Sequence, residues 1–301
     1  MPLGHPLVYL TCGRIDFQAR ILGHWKFTKQ KAVFVSRQES MIQTVQAVQF
    51  HRFMGAGRSS PALCGCDDQA GQHAGEFVVK LRGGMERGPA ALVCELVASQ
   101  IASYFGIAVP PPAFVSTDEA FAGLVAAMHP AKADRMKKSI GLNFGSRQLS
   151  DVTTWPVDRA IPDAMWQTAV SIFAFDALIQ NPDRRFNNPN LFSRGDQIVV
   201  FDHELAFSFV EDILPAESPW LLGGHRYLAD HVFFKRLKSK EVDLAAFTAS
   251  LAALPDIVLP RIVADVPPEW KNGSLSKIER HLCTVAGRSS QFAEEIRRRL
   301  A

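Results

Sequence analysis

The chain has 301 residues, 47% of them apolar and 21% charged, which is enough to bury a sizeable core and too apolar for intrinsic disorder. Thirty-three basic residues against 30 acidic ones leave a formal charge of +3, too small an excess to argue for nucleic acid or a membrane surface. No apolar run reaches the length of a membrane span, and Met1-Pro2-Leu3-Gly4-His5 lacks the basic patch and apolar stretch of a signal peptide. The five cysteines, Cys12, Cys64, Cys66, Cys94 and Cys283, are scattered, and a lone Cys-x-Cys is a poor zinc signal. Reduced thiols in a cytoplasmic protein are expected.

Residues 1–40 show no sustained periodicity and read as an N-terminal extension of uncertain order. A half-buried strand is expected over 42–54, and another over 76–81, where Phe77, Val78 and Val79 run together. A helix follows from Pro89 to Phe105, with Gly106 placed to cap it. A third strand is expected near 113–115, after Pro110-Pro111-Pro112, which reads as a stiff crossing between two lobes. Apolar residues at helical spacing (Met165, Trp166, Ala169, Val170, Phe173, Leu178) predict a helix over 163–179, stopped by Asn181-Pro182-Asp183. Two short strands, 190–192 and 197–201, flank the turn Arg194-Gly195-Asp196. From Glu211 the pattern is mostly helical, ending in a basic amphipathic stretch over 291–300. The expected organisation is an N-lobe over 41–115, small and sheet-rich, and a larger helical C-lobe over 116–301.

Three local signals carry chemistry. Asp183 is followed five residues later by Asn188, and a hairpin then delivers Asp202 at a strand end. In phosphoryl transfer one Asp positions and deprotonates the attacking hydroxyl, while an Asn and a second Asp hold Mg²⁺. Taken singly, Asp183 and Asn188 are also ordinary turn residues. Lys80 ends the strand Phe77-Val78-Val79, and Glu95 lies on the next helix, the arrangement that orients a lysine on nucleotide phosphates. Gly55, Gly57, Ser59 and Ser60 form a small-residue loop through which backbone N–H groups could approach phosphate oxygens. That loop lacks the terminal Gly-Lys-Ser/Thr of a Walker A motif. Loop, strand Lys, helix Glu, Asp-x₄-Asn and strand-end Asp each occur once, in the order a bilobal kinase requires.

Asn181-Pro182-Asp183-Arg184, Asn188-Pro189-Asn190-Leu191 and Phe201-Asp202-His203 resemble the signatures of the HipA-like kinase family, in its stand-alone bacterial branch. The stretch Ile262-Val263-Ala264-Asp265-Val266-Pro267 followed by Trp270 is similar too, and the resemblance spans roughly residues 41–290. It implies an α+β, protein-kinase-like two-lobed fold, the cofactors ATP and Mg²⁺, and transfer to a Ser or Thr hydroxyl. Carried over by position, it implies that Lys80 binds phosphates, Asp183 is the base, Asn188 and Asp202 hold metal, and the loop at 55–60 covers the nucleotide.

The sequence departs from related kinases in two places. Arg185 stands where other residues are common, and Phe201-Asp202-His203-Glu204 replaces the Asp-Phe-Gly of eukaryotic kinases. His203 is expected to pack behind Asp202, and Phe201, Phe207 and Phe209 to belong to the C-lobe core. The resemblance further implies a protein substrate, an antitoxin-like partner as in toxin–antitoxin pairs, and self-phosphorylation at Ser59 or Ser60. Two other readings remain open at this level: a nucleotide-binding pseudokinase, and a kinase for a small-molecule or lipid hydroxyl.

Overall fold

Alternation along the strands decides the first half of the fold. The computed structural model describes residues 42–55, 59–214 and 216–301, so the expected extension over 1–40 lies outside the described residues. β1 (Gln43–Phe53) turns Val45 and Ala47 inward, β2 (Ala62–Asp67) turns Cys64 and Cys66 inward, and β3 (His73–Lys80) buries Phe77 and Val79. Because successive side chains point to opposite faces, Val78 and Lys80 must share the other face of β3. Both line the cleft described below.

After β3 the chain enters α1 (Pro89–Tyr104), with Pro at its first turn and Ala91 to Ala102 buried throughout. Gly106, at φ +72°, ends α1 in a Schellman motif, with Ile107 N–H donating to the Ala102 carbonyl and Gly106 N–H to that of Ser103. β4 (Pro112–Thr117) then runs parallel to β1, Val45 opposite Val115. Helices α2 (Glu119–Met128) and α3 (Ala133–Lys138) precede β5 (Gly141–Arg147), which pairs antiparallel with both β4 and β3. The result is a closed barrel in the order β1-β2-β3-β5-β4, which leaves no strand edge open. Gly145 is required in β5, since a Cβ there would meet Val115 Cγ2 at 2.3 Å.

Beyond Arg147 the chain makes the short β6 (Thr153–Thr154) and then α4 (Asp163–Leu178). β7 (Leu191–Arg194) and β8 (Gln197–Val200) form a tight hairpin, with Gly195 supplying φ +56° in its turn. The rest is helical: α5 (Phe234–Leu237), α6 (Ala245–Ile257), α7 (Leu259–Asp265), α8 (Gly273–Ala286) and α9 (Ser289–Leu300). Phe173, Phe175, Phe233, Leu251, Ile278 and Phe292 anchor their shared core, which also takes in α1. Among the described residues no single helix is long and apolar enough to cross a membrane.

One expectation is corrected. The boundary at 115 falls inside β4, and the β-rich region continues through β5 to Arg147. Pro110-Pro111-Pro112 leads from α1, packed in the helical core, into β4 of the barrel. β2 and β5 had no apolar run to reveal them: Cys64-Gly65-Cys66 and Asn143-Phe144-Gly145-Ser146 alternate weakly and contain glycine.

Candidate functional site

A cleft of about 190 Å³ separates β3 from the β7–β8 hairpin. Met54, Pro61 and Val78 line it from the barrel, and Phe192, Val200 and Phe201 from the hairpin side. Leu149 and Val152, after β5, complete an apolar wall, and Lys80, Glu95 and Asp202 supply the charge. Phe201 is thus a cleft residue, stacked on Phe192 with centroids 4.2 Å apart, whereas Phe207 is buried core as expected.

Lys80 sits at the centre of an acidic ring. Its Nζ donates to Glu95 Oε1, to Asp202 Oδ1 at 2.5 Å and to Glu204 Oε2 at 3.1 Å. Burial alone would lower the Lys80 pKa, but the Glu95, Asp202 and Glu204 carboxylates outweigh it, so Lys80 is held firmly protonated. Burial would likewise raise the pKa of Glu95, yet Lys80 and then His203 hold it low. Glu204 goes the other way: burial raises it, Lys80 opposes, and the neighbouring Asp202 and Glu95 carboxylates reinforce the rise. His203 packs behind this ring, almost fully buried, with its backbone N–H donating to Glu95 Oε1 at 3.0 Å.

The segment after Asp202 is fixed from α1's side of the cleft. Arg87 Nη1 donates to the carbonyls of Glu204 at 2.9 Å and Ala206 at 3.0 Å, and Arg87 Nε pairs with Glu211. Asp202 itself has φ +61°, a left-handed conformation that Asp tolerates better than most residues.

The Asp183 carboxylate is oriented from three directions. Its Oδ2 accepts from Asn188 Nδ2 and Asn190 Nδ2, both at 3.0 Å, and its Oδ1 faces Arg185 Nη2 at 3.1 Å. Behind the loop lies a fully buried ion pair, Arg184 Nε to Asp176 Oδ2 at 2.6 Å. Asn181 and His231 also bond to Asp176, at 3.0 and 3.1 Å. Arg184 Nη1 reaches the carbonyls of Asn190 at 2.7 Å and Phe201 at 3.2 Å, so one guanidinium joins the Asp183 loop to the residue before Asp202. Burial would raise the Asp176 pKa, but Arg184 and His231 keep it below the usual carboxylate range.

The small-residue loop is placed differently from the rest. Met54 N–H donates to the Pro61 carbonyl at 2.7 Å and closes its base, and Gly55 has φ +60°. Gly57 lies outside the described residues. Ser59 and Ser60 are buried: Arg135 Nη1 donates to the Ser59 carbonyl at 2.9 Å and Lys132 Nζ to Ser60 Oγ at 3.2 Å. Neither serine lines the cleft. The structure therefore brings Lys80, Glu95 and Asp202 together, sets Asp183 on Asn188, and leaves the two serines under α3 and its approach.

Glu204, Asn190, Arg87 and the Asp176–Arg184 pair were missed by spacing arguments. Glu204 and Asn190 stand inside the quoted motifs, two residues after Asp202 and Asn188, and that proximity was the available signal.

The model of one protein family, described as HipA-like kinase, matches residues 45–286. The chain belongs to the HipA-like kinase family. A solved structure with a similar fold is that of a Helicobacter pylori proinflammatory kinase, CtkA, with a TM-score of 0.50 at 10% identity, covering 86% of this chain and 98% of that one. No curated protein matches the sequence. For a HipA-like kinase, a mixed architecture with a β-rich N-terminal region and a helical C-terminal part is what the neighbour's fold supports. Use of a nucleotide and a metal is general to such kinases, and the donor set here fits a hard divalent cation. Three carboxylates, Glu95, Asp202 and Glu204, converge with ligand atoms within 4.8 Å of one another, faced by the Lys80 ammonium and, at Glu95, by His203 Nδ1 at 3.8 Å.

Proposed function

We infer that this HipA-like kinase transfers the γ-phosphate of ATP to a hydroxyl acceptor, a protein Ser or Thr, with Mg²⁺ as cofactor, in a two-lobed kinase arrangement. The observation that carries the reading is the shared grip of Glu95 and Asp202 on Lys80 at the charged part of an apolar cleft. The space between Val78 and Phe201 suits a purine ring, by burial and by stacking on Phe201. Lys80 then reaches the phosphates, and Glu95 keeps its ammonium in place when phosphate oxygens draw it from Asp202.

Asp202 and Asn188 would hold Mg²⁺, which when bound neutralises charge on the phosphates. Asn188 can serve both roles, because its Nδ2 is spent on Asp183 and its Oδ1 remains an acceptor. Asp183 accepts the acceptor's hydroxyl proton as its oxygen attacks phosphorus. The loop at 55–60 would cover the nucleotide, and the buried Ser59 and Ser60 hydroxyls are not assigned to the phosphates.

The test is transfer of labelled γ-phosphate from Mg-ATP to mixed protein acceptors, alongside nucleotide binding by calorimetry. Transfer by the wild type, lost in Asp183→Ala with binding kept, supports the enzyme. Binding without transfer in the wild type makes the protein a pseudokinase, and absence of both removes the nucleotide reading.

A further inference from the structure

Resting on the kinase reading, we propose that the acceptor is an acidic peptide segment, and that its carboxylates release the base Asp183 from Arg185. The only oxygen of Asp183 not engaged by a side-chain amide is Oδ1, and the Arg185 guanidinium covers it at 3.1 Å. In that position Arg185 competes with any incoming hydroxyl for the same carboxylate oxygen.

Arg185 is also half-exposed on its far side, where a separate cavity of about 410 Å³ opens. Phe186, Asp230 and Lys235 line that cavity beside Arg185. The Lys235 ammonium lies 5.5 Å from the Phe186 ring centroid, and the Arg236 guanidinium 6.0 Å from it. The wall is rigid where it meets the loop: Phe186 N–H donates to the Asp230 carbonyl at 2.9 Å and Val232 N–H to the Arg184 carbonyl at 3.1 Å. One surface therefore runs from Asp183 through Arg185 to the Lys235 ammonium and an aromatic face.

Charge selects the occupant. Arg185 and Lys235 favour one or two carboxylates, while the exposed Asp230 carboxylate beside them opposes a dense run of negative charge such as a phosphate backbone and can accept backbone N–H groups of a peptide. The small overall charge of +3 points away from a polyanion as well. An Asp or Glu next to the acceptor Ser or Thr draws Arg185 into the cavity, and Oδ1 of Asp183 becomes free. The hydroxyl proton then passes to Oδ1 as the acceptor oxygen bonds to the γ-phosphorus and ADP leaves with the electrons of the broken P–O bond. Specificity and base activation thus share one residue.

The experiment compares two Ser-containing peptides of the same length, one flanked by Asp and Glu, the other by Asn and Gln, in steady-state phosphorylation. Wild type should favour the acidic peptide by roughly tenfold in kcat/KM, falling as salt is raised. Arg185→Ala should bring that ratio near one while raising turnover of the neutral peptide, and Lys235→Glu should reduce it. Equal use of both peptides by the wild type, or equal losses on both in Arg185→Ala, overturns the inference and leaves the kinase standing. If neither peptide is phosphorylated, fluorescence anisotropy of the labelled acidic peptide decides. Binding abolished by Lys235→Glu supports the surface; no binding, or equal competition by an RNA oligonucleotide, overturns it.

Discussion

Lys80 Nζ and Asp202 Oδ1 lie 2.5 Å apart across 122 residues of sequence. The contact joins the last residue of β3 to Asp202, two residues past the β7–β8 hairpin, and Glu95 of α1 binds the same ammonium. A single positive charge is thus shared by three elements. Removing it leaves carboxylates facing one another in a buried place, which is why its loss reaches further than one phosphate contact.

Lys80→Ala and Glu95→Ala should each abolish most activity, and the double variant should be little worse than either alone, since the two act as one unit. Glu95 is nearly fully buried, so Lys80→Ala should also destabilise the fold by about 3 kcal/mol or more. A double-variant cycle on kcat/KM, with chemical denaturation of each protein, reads both effects. Additive losses in kcat/KM would show that the ion pair has no joint role in catalysis.

Asp183→Ala should lower transfer by ~10²–10⁴ while leaving Mg-ATP affinity within a few-fold. The structure separates its two amide partners. Asn190→Ala removes a bond to Asp183 Oδ2 and should lower kcat without changing the Mg²⁺ requirement. Asn188→Ala loses the same kind of bond and a metal oxygen together, so it should lower kcat and raise the Mg²⁺ concentration for half-maximal rate. Magnesium titrations of the two variants distinguish them, and identical titration curves would move the metal site away from Asn188.

How much of this could be read from residues alone follows from what each signal depends on. Lys80, Glu95, Asp183 and Asn188 were legible as candidates from their joint order along the chain, since each taken singly is also an ordinary strand-end, helix or turn residue. The barrel was not: β2 and β5 are held by pairing with β1, β3 and β4, and their own residues include Gly65, Gly141 and Gly145. Ser59 and Ser60 read as loop donors because hydroxyls between glycines and a proline look exposed. Lys132 and Arg135, more than 70 residues later, hold them down, and no local pattern announces that contact. Arg185 was visible as a departure, but its position over Asp183 needed the loop's geometry.

Asp202→Asn should weaken Mg-ATP binding, because it exchanges a charged metal oxygen for a neutral one. Glu204→Gln should behave oppositely in the absence of metal. It removes one of the carboxylates that neutralise Lys80, leaving more positive charge for the phosphates, so metal-free ATP should bind a few-fold tighter. Calorimetry with and without Mg²⁺ tests the pair. Equal effects of the two substitutions under both conditions would mean that Asp202 and Glu204 are interchangeable parts of one acidic patch.

Acid stability should depend on His281. Its Nε2 lies 2.8 Å from the Leu178 carbonyl, at the end of α4, and its ring stacks on Phe209 with centroids 4.2 Å apart. Burial pushes its pKa down from 6.5 to about 4; the Leu178 carbonyl opposes this and His225 adds to it. Between those two values the unfolded chain carries the proton and the folded chain does not. The contribution is therefore complete above pH 6.5 and is lost progressively as pH falls to about 4, by which point the loss is ~3 kcal/mol. His231 is lowered as well, by burial against the opposing pull of Asp176, and works in the same direction. His281→Gln keeps a donor for Leu178 but cannot take up a proton. Its melting temperature should fall less steeply than that of the wild type between pH 6.5 and 4, with His231 accounting for part of the remaining slope. Parallel melting curves for the two proteins across that window would show that His281 is protonated in the folded state, and that the Leu178 contact is made by an imidazolium.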